Sequence, residues 1–142
     1  MRVVIVEDEP NTRNGIIKII EKYTPHEVVA GESDGEAGLE TVLSLRPDVV
    51  ITDINMPKMD GLTMVNKIRE AGSLTAAILL TGYSEFEYAQ RAIQLSVMEY
   101  LLKPLDVEDI MEVLGTVEER ISKNKVEKVS AEQLLFSLLT GD

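Results

Sequence analysis

The chain is punctuated by short, unbroken apolar runs, largely of β-branched residues, such as Val3–Val6, Val49–Ile51 and Ala76–Leu80, each ended abruptly by polar residues. A strand with one wet face alternates apolar and polar side chains. A run that is apolar at every position is buried on both faces, as in a parallel sheet covered by helices.

Helical periodicity fills the intervals. Ile16, Ile17, Ile19, Ile20 and Tyr23 recur at helical spacing and stop before Thr24-Pro25-His26. A short strand over Glu27–Gly31 follows. Ser33 or Asp34 then caps a helix that turns Ala37, Val42, Leu43 and Leu45 inward and closes at Arg46-Pro47. After the strand that ends at Asp53, Leu62, Met64, Val65 and Ile68 mark a third helix stopped near Ala71-Gly72. The strand Ala76–Leu80 leads to a helix from about Glu85 to Leu95, and Tyr100–Leu102 forms a fifth strand. Asp106 caps the last helix, with Leu105 and Ile110 placed as a hydrophobic staple, and the helix is expected to end near Ser122. Five strands alternating with five helices imply an α/β doubly wound sandwich, a (βα)5 fold with right-handed crossovers. The flavodoxin-like sheet order 2-1-3-4-5 is the most economical topology.

In that order strands 1, 3 and 4 are neighbours, and ligands of such sheets bind at the carboxyl ends of the strands. The topology therefore brings together Glu7-Asp8, Asp53 and Thr81, with Lys103 from the end of strand 5 beside them. Capping of the first helix accounts for one or two of the acids in Glu7-Asp8-Glu9, since Asp is a good N-cap. Three converging carboxylates repel one another unless a cation lies among them, and hard oxygen ligands suit Mg²⁺. An aspartate beside a metal, an ammonium and a hydroxyl is what phosphoryl transfer needs, with phosphate on Asp53 as product. In the loop after Asp53, Met56-Pro57 favours extended backbone, and Asp60-Gly61 supplies a turn tolerant of positive φ.

Taken together, Glu7-Asp8, the stretch Asp53-Ile54-Asn55-Met56-Pro57-Lys58-Met59-Asp60-Gly61, Thr81-Gly82, Tyr100 and Lys103-Pro104 resemble the receiver domain of a two-component response regulator. The resemblance covers about residues 1–122. It implies that Asp53 accepts phosphate from a sensor histidine kinase, and that Asp8, Asp53 and the backbone carbonyl of Asn55 bind Mg²⁺ while Glu7 helps through water. It further implies that Lys103 pairs with the acceptor carboxylate or its phosphate, often before a cis Lys-Pro bond. Thr81 and Tyr100 become switch residues, Thr81 moving onto the phosphate and Tyr100 turning inward. Glu7 departs from the aspartate that many members carry, which bears on metal affinity. The segment Leu80–Ala89 resembles receivers that precede AraC-type helix-turn-helix domains. Phosphorylation is expected to alter the surface of the fourth helix, fifth strand and fifth helix, promoting homodimer formation or releasing a partner.

Composition bounds the alternatives. A net charge of -11 opposes direct nucleic-acid binding by this chain. Without Cys there are no disulfides or thiolate metal sites. The opening apolar run is too short for a signal peptide or a membrane span, so the expected location is cytoplasmic. His26, the single histidine, sits in a turn and receives no role. An aspartate-nucleophile phosphatase of dehalogenase-like pattern wants a second acid two residues after the first, where this chain has Asn55. The expectation is a protein that modifies itself, and not a turnover enzyme.

Residues 123–142 read as linker or helix extension followed by a capping box at Ser130–Gln133 and an apolar helix with Leu134, Leu135, Phe136, Leu138 and Leu139. So many large apolar residues must cover the domain, pair with a second chain, or belong to an interface with an absent part. The expected remainder is the chain's own C-terminal DNA-binding output domain, which would make the whole a transcription regulator.

Overall fold

The structure is a computed structural model, described over residues 1–82 and 99–140, with 125–137 and 140 as backbone alone. In chain order the elements are β1 (Arg2–Val6), α1 (Pro10–Tyr23), β2 (Glu27–Glu32), α2 (Gly35–Leu45), β3 (Val49–Asp53), α3 (Gly61–Glu70), β4 (Ala76–Thr81), β5 (Glu99–Leu102) and α4 (Val107–Thr140). The strands form one parallel sheet in the order β2-β1-β3-β4-β5, as the sequence predicts. The helix expected between Glu85 and Leu95 lies outside the described residues.

Alternation along the central strands feeds two cores. Val3, Ile5, Val49, Ile51, Ile78 and Leu80 point to one face, where Ile16 and Ile20 of α1 and Ile110, Leu114 and Val117 of α4 cover them. Val4, Val6, Val50 and Ala77 point to the other, against Val42 of α2 and Met64, Val65 and Ile68 of α3. Both faces are dry, which is why these strands carry no polar alternation. The α2 helix can approach closely because position 38 lacks a side chain: a Cβ there would stand 2.7 Å from Met64 Sδ and 2.8 Å from Val6 Cγ2.

Three acids start three helices. Glu9 accepts a hydrogen bond from Thr12 N–H at 2.6 Å, Asp34 from Ala37 N–H at 2.8 Å, and Asp60 from Thr63 N–H at 2.7 Å. Asp8 is thus not the cap of α1; Glu9 takes that place, leaving Asp8 free to face the strand ends. Asp106 accepts from Asp109 N–H at 2.8 Å, and Leu105 packs on the core that holds Ile110, the expected staple.

Three expectations need correction. Leu43 and Leu45 do not face inward: they are 39% and 37% exposed, and the small residues Gly35 and Gly38 are buried in their stead. The last helix does not end near Ser122; it continues to Thr140, because no Gly or Pro interrupts residues 116–140. Positive φ in the loop after β3 falls on Lys58, at 68°, and not on Gly61.

Candidate functional site

The β3–α3 corner is built around a residue without a side chain. Gly61 N–H donates to Ile54 O at 2.7 Å, and a Cβ on Gly61 would overlap the carbonyl oxygen of Asp53. Glycine here lets α3 begin directly against the end of β3. The strand itself is buried throughout, so Asp53 reaches the sheet edge only 6% exposed. Its Oδ1 accepts from Ile54 N–H at 2.8 Å, which fixes the carboxylate's orientation.

Register places the other groups. β3 pairs with β1 on one side and β4 on the other, so the chain leaving β1 carries Glu7 and Asp8 alongside Asp53. Carboxylate oxygens of Glu7, Asp8 and Asp53 lie within 4.8 Å of one another. Lys103, following β5, sends its ammonium over the strand ends, 2.9 Å from Asp53 Oδ2 and 3.5 Å from Glu7 Oε1. The Lys103–Pro104 bond is cis, and Lys103 N–H donates to Thr81 O at 2.9 Å.

Electrostatics in this cluster are unbalanced. Glu7 is 1% exposed, and burial, followed by the hydrogen bond and the charge of Asp53, pushes its pKa up to about 8. Burial pulls Lys103 down, but Asp53 and Glu7 outweigh it, and its pKa is raised. One ammonium does not satisfy three acids. Among the described residues Oε2 of Glu7 is buried without a hydrogen-bond partner, an orphaned hard oxygen on a carboxylate that clusters with two others. The residues therefore fit a divalent cation, which prefers several oxygen ligands and retained water.

The remaining candidates sit nearby with different settings. Thr81 is buried at the end of β4, and its hydroxyl donates to Gly82 O at 3.0 Å. Tyr100 lies on the edge strand β5 and is 44% exposed. Asn55 is exposed, two residues beyond Asp53. His26 is buried, and Met1's amino group donates to its Nδ1 at 2.9 Å, far from the acidic cluster. Sequence reasoning passed over Arg13, whose Nη1 donates to the backbone carbonyl of Glu7 at 2.7 Å. The available signal was an arginine one turn into the helix that follows the acids.

A parallel doubly wound sheet with acids, a lysine and a threonine at its carboxyl edge defines a class of phosphoacceptor domain. The response regulator receiver domain model matches residues 3–115, and the chain belongs to that family. It is the phosphoacceptor module of two-component signalling. Among curated proteins, it is 33% identical over 123 residues to protein-glutamate methylesterase/protein-glutamine glutaminase 3 of Geobacter sulfurreducens, covering 87% of this chain and 32% of that protein. It is 30% identical over 138 residues to the uncharacterized transcriptional regulatory protein YesN of Bacillus subtilis, covering 96% of this chain and 38% of that one. The REC domain of AraT, a response regulator from Geobacillus stearothermophilus, superposes with a TM-score of 0.80 at 43% identity, covering 87% of this chain and 97% of that one. The chain spans 32–46% of the length of the first three curated relatives. No helix among the described residues is long and apolar enough to cross a membrane.

Proposed function

We propose that Asp53 accepts a phosphoryl group from a sensor histidine kinase in a Mg²⁺-dependent reaction and that the phosphorylated domain controls a C-terminal DNA-binding domain. The observation that carries this reading is the joint placement of Asp53 Oδ2 2.9 Å from Lys103 Nζ and within the cluster formed with Glu7 and Asp8. Asp8, Asp53 and the Asn55 carbonyl would hold Mg²⁺, with Glu7 acting through water. The ion supplies charge neutralisation for the incoming phosphoryl oxygens.

An oxygen of Asp53 bonds to phosphorus as the P–N bond of the donor phosphohistidine breaks, and the departing imidazole nitrogen takes a proton from solvent. Ile54 N–H holds the carboxylate in position. Lys103 neutralises the phosphoryl oxygens as it now neutralises Asp53. Thr81 exchanges its Gly82 partner for a phosphoryl oxygen, and the exposed Tyr100 turns inward into the space released. These two moves alter the surface of β5, α4 and the helix expected between β4 and β5. Homodimer formation through that surface, or through the C-terminal part of α4, then changes the output.

Regulation of transcription is supported by the likeness to YesN over 96% of this chain, and an AraC-type output domain by the Leu80–Ala89 segment. The domain acts on itself and does not turn over; the methylesterase name belongs to a protein of which this chain matches 32%. The net charge of -11 leaves DNA contact to the output domain, and the expected location is cytoplasmic.

Intact-mass measurement after exposure to a small acyl phosphate and Mg²⁺ tests the proposal. One phosphoryl group is expected on the parent chain and none on Asp53→Asn. No adduct on the parent, or phosphate released with rapid turnover, would overturn it.

A further inference from the structure

We infer that Arg13 is a positioning residue for the cation site: its guanidinium fixes the backbone from which Glu7 and Asp8 are presented. The inference rests on the reading of the site given above.

Glu7 is held through its main chain on both sides. Its N–H donates to Glu32 O at 2.9 Å, extending the β1–β2 ladder, and its carbonyl accepts from Arg13 Nη1 at 2.7 Å. Arg13 comes from the second turn of α1, and its stem runs past Gly31 of β2. A Cβ on Gly31 would lie 3.5 Å from Arg13 Cδ and 3.2 Å from Ile17 Cδ1. The same loop is tied at its far end, where Glu9 Oε2 accepts from Thr12 N–H at 2.6 Å and from the Thr12 hydroxyl at 2.9 Å. Asp8 therefore sits between two anchored residues while being itself exposed.

A charged donor on a carbonyl makes a stronger hydrogen bond than a neutral one. It also aligns a peptide that carries two acidic side chains crowded against Asp53. Without that bond the Glu7-Asp8 peptide can rotate to separate the acids, which relieves repulsion in the empty site and must be reversed each time an ion enters. Groups that orient metal ligands in this way typically contribute 10- to 100-fold in affinity.

The test uses Mg²⁺ itself, titrated calorimetrically into the whole chain, together with thermal melting of the ion-free protein. Arg13→Ala is expected to weaken Mg²⁺ binding about 10-fold, and Arg13→Lys, which restores one charged donor, to recover part of that loss. Ile19→Ala, which removes core packing on the same helix, should lower the melting temperature and leave the dissociation constant unchanged. If Arg13→Ala fails to fold, Arg13→Lys against Ile19→Ala carries the comparison. Equal Mg²⁺ affinity in the parent and the Arg13 variants overturns the positioning role alone. Failure of the parent to take up Mg²⁺ overturns the reading of the site on which it stands.

Discussion

The ammonium of Lys103 lies 2.9 Å from Asp53 Oδ2, joining residues separated by 50 positions and carried by strands that are not neighbours in the sheet. The pair is asymmetric in its surroundings: the Lys103 side chain is 33% exposed and that of Asp53 9%. Loss of the lysine would strand the acid.

Lys103→Ala removes the ammonium that pairs with both Asp53 and Glu7. The ion-free domain should lose about 1–3 kcal/mol, less than a fully buried pair would cost, because Lys103 is partly in water. Added Mg²⁺ should return part of the loss by binding only the folded form. Urea titrations with and without the ion read both effects, and an unchanged midpoint without Mg²⁺ would contradict them.

Glu7 gives the ion-free protein a pH dependence of unusual sign for an acid. Its folded pKa of about 8 lies above the ordinary 4.5, so the folded form binds the extra proton between those values. Stability should fall as pH rises through that window and level off above it. Glu7→Gln should flatten the slope. Ionising Glu7 to neutralise a cation also links proton release to metal uptake, so Mg²⁺ affinity should strengthen as pH approaches about 8. Calorimetry in buffers of different ionisation heat measures the protons released.

Gly61→Ala tests the corner beneath the acceptor. The new Cβ overlaps the Asp53 carbonyl, which is backbone and cannot swing away. A loss of about 2–4 kcal/mol is expected, with phosphoryl uptake reduced even in the folded fraction because Asp53 must shift. Gly15→Ala, where nothing lies within 4 Å of the added atom, is the matched control and should be neutral or mildly stabilising.

His26 predicts acid sensitivity at the opposite end of the sheet. Burial, followed by the positive Met1 amino group, lowers its pKa below 6.5, against the opposing pull of Glu118. Protonation therefore favours the unfolded chain. The stabilisation is complete above pH 6.5 and is lost as pH falls toward the folded value. His26→Gln should show a shallower decline in melting temperature between about pH 7 and about pH 5.

The sheet order and the meeting of Glu7, Asp8, Asp53 and Lys103 were legible in the sequence because they follow from topology: continuous apolar runs fix which strands are central, and strand ends fix which polar residues meet. What escaped was local. Leu43 and Leu45 satisfy helical spacing, yet α2 packs through Gly38 against Val6 and Met64, a choice set by tertiary fit. Gly61 signals a turn by composition, whereas its service is to let two backbones touch while Lys58 takes the positive φ. Arg13 acts through a main-chain carbonyl, and no residue pattern records which carbonyl a long side chain will reach. The capping box at Ser130–Gln133 shows the converse, since a good capping pattern does not start a helix where the preceding chain is already helical.

That unbroken α4 has a mechanical consequence. Its 34 residues make a rod about 51 Å long, of which about 28 Å lies beyond Ile121, the last of its described side chains packed on the core. A lever of that length magnifies what happens at its fulcrum: a tilt of about 10° there carries the tip about 5 Å sideways. Sub-ångström repacking beneath the helix can thus arrive at its far end as a displacement as large as one helical turn.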